Sequence, residues 1–570
     1  MIVFRNDPVG KLVFVEDSKF VSHFCQLSKL PGLNPSFGIA GETGLMRSVN
    51  ISVTMVMLGI LVALTVPPVV TAQGFPTEKT EPPKPFGIQV VDEETGRGVS
   101  LIELRTTNEI CLITDNAGWV AVDEPGLNGL NVFFSIQGHG YEFPADGFGM
   151  RGRALVVRPG ETAQLKIKRV NVAERFYRIT GQGQFHHTTR LGLPTPWKYP
   201  NLNAQVMGQD STQAVVLGDR ILWTWGDTAR VSYPLGNFAT SGAWSKLPEH
   251  GGMDPAVGID QTYLVDDTGF SRPMFDNDVP GTVVWMHGLF TLPDNQGEVK
   301  AVTHYSVRKG LGAEHHAGIA VFDGEKQRFE QVNEFPRDAK LYPRGQTFHH
   351  MDGDQEYIYF ATPYPMLRVP AKWDAIFDHT QYEAWTCLEE GADFDHKNPR
   401  LTRTSEGKLD YAWRKDTALV GAEQQRQLEL SGHIQPDEGW IQTLDIDQGR
   451  KIVLHRGSVR WNDFLKRWVM IANEIYGEPS NLGEVYLLTS KSLPGRWEKA
   501  KKIVTHDKYT FYNPVHHDFF DQADGKLIYF DGTYTKQFSA TKVATPRYDY
   551  NTIMYRLDLS DERLESVNSP

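Results

Sequence analysis

Asp210 and Asp227 stand at the outer ends of one short strand-patterned segment, a placement that could do acid–base chemistry. Residues 205–228 read Gln-Val-Met-Gly-Gln-Asp-Ser-Thr-Gln-Ala-Val-Val-Leu-Gly-Asp-Arg-Ile-Leu-Trp-Thr-Trp-Gly-Asp-Thr. The apolar run Ala214–Leu217 meets a two-residue Gly218-Asp219 turn and then a second run, Ile221–Trp225, rich in β-branched and aromatic residues. That pattern predicts a β-hairpin. Both carboxylates then emerge at one rim of the sheet. Paired carboxylates flanking a bond, beside flat aromatic rings, are what cleavage of a glycosidic bond needs. The plainer reading is that both acids cap turns, as Asp commonly does at strand ends.

Similar polar clusters precede other apolar hairpins: Gln209-Asp210-Ser211, Glu314-His315-His316, Gln346-Thr347-Phe348-His349-His350 and Asn513-Pro514-Val515-His516-His517-Asp518. Placed at the start of the innermost strands of a radial array, they would converge on one end of a central channel. Successive strand residues face opposite ways, so one His of each pair would face that channel and the other the sheet. The pair His186-His187 fits no such place and is unassigned. On this reading the substrate-contacting candidates are Gln209, His316, His349 and His516, with Trp225 and Trp244 as sugar platforms. No His-Glu-x-x-His or Cys/His zinc spacing occurs. No cofactor is required, no metal ligand set can be assigned, and a channel cation held by His and carboxylate stays open.

The elements that must position these residues are short strands. Runs such as Ala317–Phe322 with Phe329–Val332, Tyr357–Thr362 with Met366–Val369, Val459–Phe464 with Arg467–Ala472, and Phe519-Phe520 with Leu527–Asp531 repeat the hairpin pattern without long helical periodicity. A radial array of antiparallel blades closes many such strands economically. The expected fold is all-β, a five-bladed β-propeller over residues 171–570, preceded by a small antiparallel β-sandwich over 86–170. Residues 73–85 (Gln-Gly-Phe-Pro-Thr-Glu-Lys-Thr-Glu-Pro-Pro-Lys-Pro) read as a Pro-rich linker.

Residues 1–72 are expected to hold an export signal, with the true start at Met46. Arg47 precedes the apolar run Val53–Val66, and Val70-Thr71-Ala72 supplies a small-residue cleavage site. The run is short of the roughly 20 apolar residues of a spanning helix, so no integral membrane segment is expected after processing. The protein should be secreted or periplasmic. Of three cysteines, Cys25 falls in the removed part, leaving Cys111 and Cys387 as separate thiols. With 52 Gly, 13 Trp and 11% aromatic residues, the 570-residue chain suits a turn-rich β-protein of two or three domains. A net charge of −12 without any basic run argues against nucleic acid as partner. A polysaccharide or oligosaccharide is the expected partner, and the protein a monomer.

Two families are resembled. Val91-Asp92-Glu93-Glu94-Thr95-Gly96-Arg97-Gly98-Val99, with Thr114-Asp115-Asn116-Ala117-Gly118 and Gly140-Tyr141, resembles the carboxypeptidase regulatory-like (transthyretin-like) module, which implies an accessory, non-catalytic domain. Gln209-Asp210-Ser211-Thr212 with Leu222-Trp223-Thr224-Trp225-Gly226-Asp227-Thr228 resembles the opening blade of the arabinanase-like five-bladed propeller glycosidases, and within them a domain group linked to endo-D-arabinan cleavage. Glu484–Ser490 with Pro494-Gly495-Arg496-Trp497, and Leu527–Tyr534, resemble later blades. The resemblance implies a catalytic Asp on the first blade, here Asp210, a second Asp that assists it, here Asp227, and a Glu as general acid. Glu314 is the leading candidate for that acid and Glu474 the other. The expected function is an exported glycoside hydrolase. Two alternatives stay open. One is a propeller polysaccharide lyase on a uronic-acid polymer, using the histidines with Tyr305, Arg308, Tyr342 and Arg344. The other is a non-catalytic glycan-binding propeller.

Overall fold

The computed structural model describes residues 84–234, 239–310, 312–547 and 549–568, together with two short strands, Val3–Asn6 and Leu12–Val15, that pair with each other. The export-signal segment 53–72 and the linker up to residue 83 lie outside the described residues. Strands dominate. Among the described residues α-helix is confined to His186–Arg190, Ala422–Leu430 and Glu565–Asn568, and no helix is long and apolar enough to cross a membrane.

Residues 86–169 form two four-stranded sheets. One runs Trp119–Val122, Phe86–Asp92, Thr162–Arg169, Tyr141–Glu142; the other runs Cys111–Ile113, Glu103–Thr106, Asn131–Gln137, Gly152–Val156. Their inward residues share one apolar cluster that includes Ile88, Val90, Leu104, Val120, Phe134, Ile136 and Ile167. The alternation in Asn131–Gln137, which buries Val132, Phe134 and Ile136, is the period-two signature of a half-buried strand. The expectation of a wholly antiparallel module is corrected in one place. The first and last strands pair in parallel, from Thr162 opposite Gly87 to Ile167 opposite Asp92, because the intervening strands return the chain to the same end before the last one enters.

From residue 171 on, five larger sheets come in chain order, beside the two-stranded pair Val206–Gln209 and Thr228–Arg230; their strands pair antiparallel except in the fourth, where Leu444–Asp445 runs parallel to Lys499–Val504. Each of the five has as one edge the strand Gln213–Leu217, Val283–Pro293, Gln346–Asp352, Val453–Asn462 or Thr510–His516. The fifth sheet is completed by Glu174–Arg178, which pairs with Asn551–Asp558, so the two ends of this region meet in one sheet. Side chains tie neighbouring edge strands together. The Gln213 amide accepts from Leu289 N and donates to Met286 O, Thr347 Oγ1 donates to Leu289 O, Arg460 Nη1 donates to Thr347 O, and Ser458 Oγ accepts from His516 N. Ser211 N donates to Thr533 Oγ1, returning from the fifth sheet to the first.

The opening hairpin is formed by Gln213–Leu217 and Arg220–Trp225, with Leu217 opposite Arg220. Gly218 takes φ +65° in its turn, a left-handed conformation that costs glycine nothing. The first module docks on the region beyond residue 171 through the turn Asp115-Asn116-Ala117-Gly118. Asn116 exchanges two hydrogen bonds with the Arg178 backbone, and Asp115 Oδ2 accepts from Thr188 N and Oγ1 at 2.7 and 2.8 Å. His187, unassigned from sequence, accepts from Ala121 N through Nδ1 across the same boundary.

Candidate functional site

Asp210 lies between the strand Val206–Gln209, which pairs with Thr228–Arg230, and the edge strand Gln213–Leu217. The end of the hairpin folds back onto it. Gly226 N donates to Asp210 O at 2.8 Å, Asp210 N to Asp227 O at 3.2 Å, and Asp227 N to Asp210 Oδ1 at 2.7 Å. A Cβ on Gly226 would lie 2.5 Å from Asp210 Oδ1, so glycine is what lets the carboxylate reach the Asp227 amide. The next residue, Ser211, sits at φ +56°, a conformation disfavoured for a side-chain-bearing residue. Its Oγ accepts from Asn513 Nδ2 at 2.8 Å.

Each carboxylate has a tyrosine from the fifth sheet or its loop. Tyr512 OH donates to Asp210 Oδ2 at 2.5 Å, while Tyr550 OH stands 3.4 Å from Asp227 Oδ2 and 3.1 Å from Gln537 Oε1. Asp210 is half-buried and Asp227 buried, with Asp227 Oδ1 lacking a hydrogen-bond partner. Burial pushes the Asp210 carboxyl up, while the Tyr512 hydroxyl, the Asp227 amide and Ser211 pull it back. Burial and then the neighbouring charge of Asp210 push Asp227 up, with only the long Tyr550 contact opposing. Asp210, the better-solvated and better hydrogen-bonded of the two, is therefore the one that ionises more readily, and Asp227 is the one raised further. Tyr550 has one hydrogen for two acceptors. A protonated Asp227 that donates from Oδ2 to Tyr550, which in turn donates to Gln537, gives each of these two contacts a hydrogen and leaves Asp227 Oδ1 unpartnered.

The other sequence candidates fall elsewhere. Gln209 is fully buried, donating to Ser241 Oγ at 2.7 Å and accepting from Tyr263 OH at 2.8 Å, so it braces the site from below and cannot touch a ligand. Trp225 is 1% exposed and stacked with Trp223 at 6.2 Å in an apolar core; Trp244 is 7% exposed, donates to Gln327 and lies under Arg220. Neither offers a face to a sugar, because the alternation that points them off the rim turns both into the packing between sheets. His516 is fully buried, with Nε2 2.8 Å from Asp521 Oδ1 at the far end of its strand. His316 lies on Glu314–Asp323, the third strand of its sheet and not the first strand expected of it, next to His315 and Gln331. His349 is on the edge strand Gln346–Asp352 but faces Glu356 at 3.2 Å, on the exposed hairpin it forms with Gln355–Ala361. Glu314 is an ion-pair partner of Arg308. Glu474 is buried in a two-pronged pair with Arg450 and accepts from Tyr486 OH at 3.0 Å.

Sequence reasoning missed Tyr512 and Tyr550. Tyr512 immediately precedes the Asn513-Pro514 cluster, which was the available signal; a lone tyrosine in the loop before Asn551–Asp558 carries none. Among the described residues no group of three or more His, Cys, Asp or Glu side chains could hold a metal ion.

No family model and no curated protein matches the sequence. Solved structures with some likeness include a protein from Bacteroides ovatus assigned provisionally as a hydrolase, at 11% identity over 65% of this chain and 89% of that one, with a TM-score of 0.39. An exo-β-1,3-galactanase from Clostridium thermocellum is 11% identical over 63% of this chain and 60% of its own, TM-score 0.32. An N-acetylgalactosamine deacetylase from F. plautii is 11% identical over 70% and 97%, TM-score 0.33. Likeness at this level assigns the chain to no family.

Proposed function

We propose that this protein is an exported glycoside hydrolase whose five sheets from residue 171 onward are the blades of a five-bladed propeller of the arabinanase-like kind, with residues 86–170 as an accessory sandwich. The observation that carries the reading is the interlocked pair Asp210 and Asp227, in which the Asp227 amide and the Tyr512 hydroxyl hold the Asp210 carboxylate beside a second, buried carboxyl group. Asp210, ionised, is the catalytic base or nucleophile. Asp227, kept protonated by burial and by Asp210, takes the acid role expected of Glu314, since a general acid must carry its proton near neutral pH. Tyr512 holds Asp210 in position and favours its charged form. The glycan lies across the rim formed by the ends of the first and fifth sheets.

Incubating the protein with a panel of plant, microbial and animal polysaccharides tests this directly. The expected products gain one water per bond broken and show new reducing ends. Products with ultraviolet-absorbing unsaturation would mean elimination by a lyase, and binding without any product would reduce the site to a glycan-holding one.

A further inference from the structure

We propose that the site also contains an anion-binding subsite, built by Arg344 with His287 and Tyr342, that takes a carboxylate or sulfate ester carried by the glycan; this rests on the reading of the rim as a glycan-cleaving site. Arg344 precedes the edge strand Gln346–Asp352 by two residues, and its guanidinium lies 5.0 Å from the centre of the Tyr342 ring. Its Nε is buried without a hydrogen-bond partner, and among the described residues no carboxylate pairs with it. Arg175, Arg178 and Arg547 likewise keep buried N–H groups without a partner, whereas other arginines are paired. Arg368 is met by Asp352 and Glu383, Arg450 by Glu474, Arg460 by Asp518 and Arg308 by Glu314. A partly desolvated guanidinium with no counter-charge is costly, and buried donors in folded proteins are nearly always satisfied. A ligand oxyanion at the half-exposed side of the Arg344 guanidinium would supply the counter-charge it lacks.

The surroundings suit such a ligand. Tyr342 OH donates to Tyr305 O at 2.6 Å and so fixes the ring under Arg344. The His287 ring is 6.3 Å from that of Tyr342, and its Nε2 is 3.3 Å from Ser306 Oγ, to which Arg308 Nε donates at 3.2 Å. Burial, and then the charges of Arg344 and Arg308, hold His287 well below its ordinary pKa, so it is a neutral donor or acceptor while the guanidinium supplies the charge. The planar fork of arginine matches a carboxylate or sulfate better than it matches a hydroxyl. The cluster also adjoins the carboxylate pair. Gln346 Nε2 donates to Thr212 O at 3.1 Å, two residues after Asp210, and Gln213 brackets His287 through Met286 O and Leu289 N. A charged substituent bound at Arg344 therefore belongs to a sugar near the one held at Asp210.

Calorimetric titration with methyl β-D-glucuronide, glucose 6-sulfate and the neutral methyl β-D-glucoside tests the subsite without requiring turnover. At least one charged sugar should bind while the glucoside does not, and the tighter of the two identifies carboxylate or sulfate as the natural group. Added salt should weaken the charged interaction. Arg344→Gln should lower affinity about tenfold or more, as expected for a charge-assisted hydrogen-bond pair, with Arg344→Lys intermediate. Asp210→Asn should bind the charged sugar like wild type, which separates this proposal from the hydrolase reading: loss of turnover leaves it standing. Equal binding of charged and neutral sugars by wild type, no binding of either charged sugar, or unchanged affinity in folded Arg344→Gln would overturn it.

Discussion

Replacing Asp210 by Asn isolates the charge of the catalytic pair while keeping its shape. The amide oxygen can still accept from Asp227 N, as Oδ1 does at 2.7 Å, and the Tyr512 hydroxyl, now 2.5 Å from Oδ2, can turn to accept from the amide nitrogen. Folding should therefore change little. The chemical loss should be large, because a positioned base or acid contributes about 10²- to 10⁴-fold, or about 3–5 kcal/mol of barrier. A second effect arises from the coupling. The Asp210 charge is one of the two causes that raise Asp227. An acid works below its pKa and fails as pH rises through it, so activity should fall on the alkaline side at the raised Asp227 value. In the variant that limb should move to lower pH, since burial alone then raises Asp227. Initial rates of reducing-end release from the cleaved polysaccharide, measured across pH for both proteins, give both quantities. A variant that turns over at close to the wild-type rate would refute the role of Asp210. A large loss with the alkaline limb unmoved would refute Asp227 as the acid.

Tyr512→Phe removes the strongest side-chain hydrogen bond opposing the rise of Asp210; the acidic limb of the pH–rate profile should move to higher pH and the rate at neutrality fall about tenfold. Asp227→Asn should be inactive yet more stable than wild type at alkaline pH. The folded pKa of Asp227 is raised, so its contribution is full below the ordinary carboxylate range and is lost as pH climbs through the raised value, and the stability gap of order 1 kcal/mol should open over that window in thermal melts. Trp225→Ala should cost about 3–5 kcal/mol of stability, as a buried core truncation does, while glycan affinity of the folded fraction holds; a selective loss of affinity would return Trp225 to the sugar-platform role. Removing residues before Asn171 strips at least four hydrogen bonds from Arg178 and Thr188, each worth about 1 kcal/mol, so Tm should drop by several degrees with specific activity of the folded protein unchanged.

The hairpin at 213–225 was legible because three local signals agreed: an apolar strand, a Gly-containing two-residue turn and a β-branched second strand. Each asks only about neighbours in sequence, and a meander of short strands is built from such neighbours. The pairing of Asp210 with Asp227 was legible for the same reason, since the hairpin itself brings its ends together. The direct contact between them is finer than the pattern predicts. It depends on Gly226, where any side chain would strike Asp210 Oδ1, and the reason for that glycine appears only when the chain is folded.

The histidine pairs mark where local reading ends. Glu314-His315-His316 and Gln346–His350 look alike as polar openings to apolar strands, yet one opens the third strand of its sheet and the other the first. Every hairpin of a meander carries the same alternation, so the pattern cannot say which strand lies at the inner edge. That is decided by which edges find partners in the next sheet, such as Gln213 with Leu289 and Thr347 with Leu289 O. Trp225 fails for a related reason. An aromatic at a rim reads as a platform from sequence, but the Trp225 ring packs against Trp223 and Tyr263 within its own sheet's apolar cluster, and is used up there. Tyr512 and Tyr550 come from the fifth sheet, some 300 residues away in sequence from the carboxylates they meet. They reach Asp210 and Asp227 only because Glu174–Arg178 pairs with Asn551–Asp558 and draws the last sheet back beside the first. The carboxylates are thus local chemistry, whereas the groups that set which of them keeps the proton are supplied by closure of the fold.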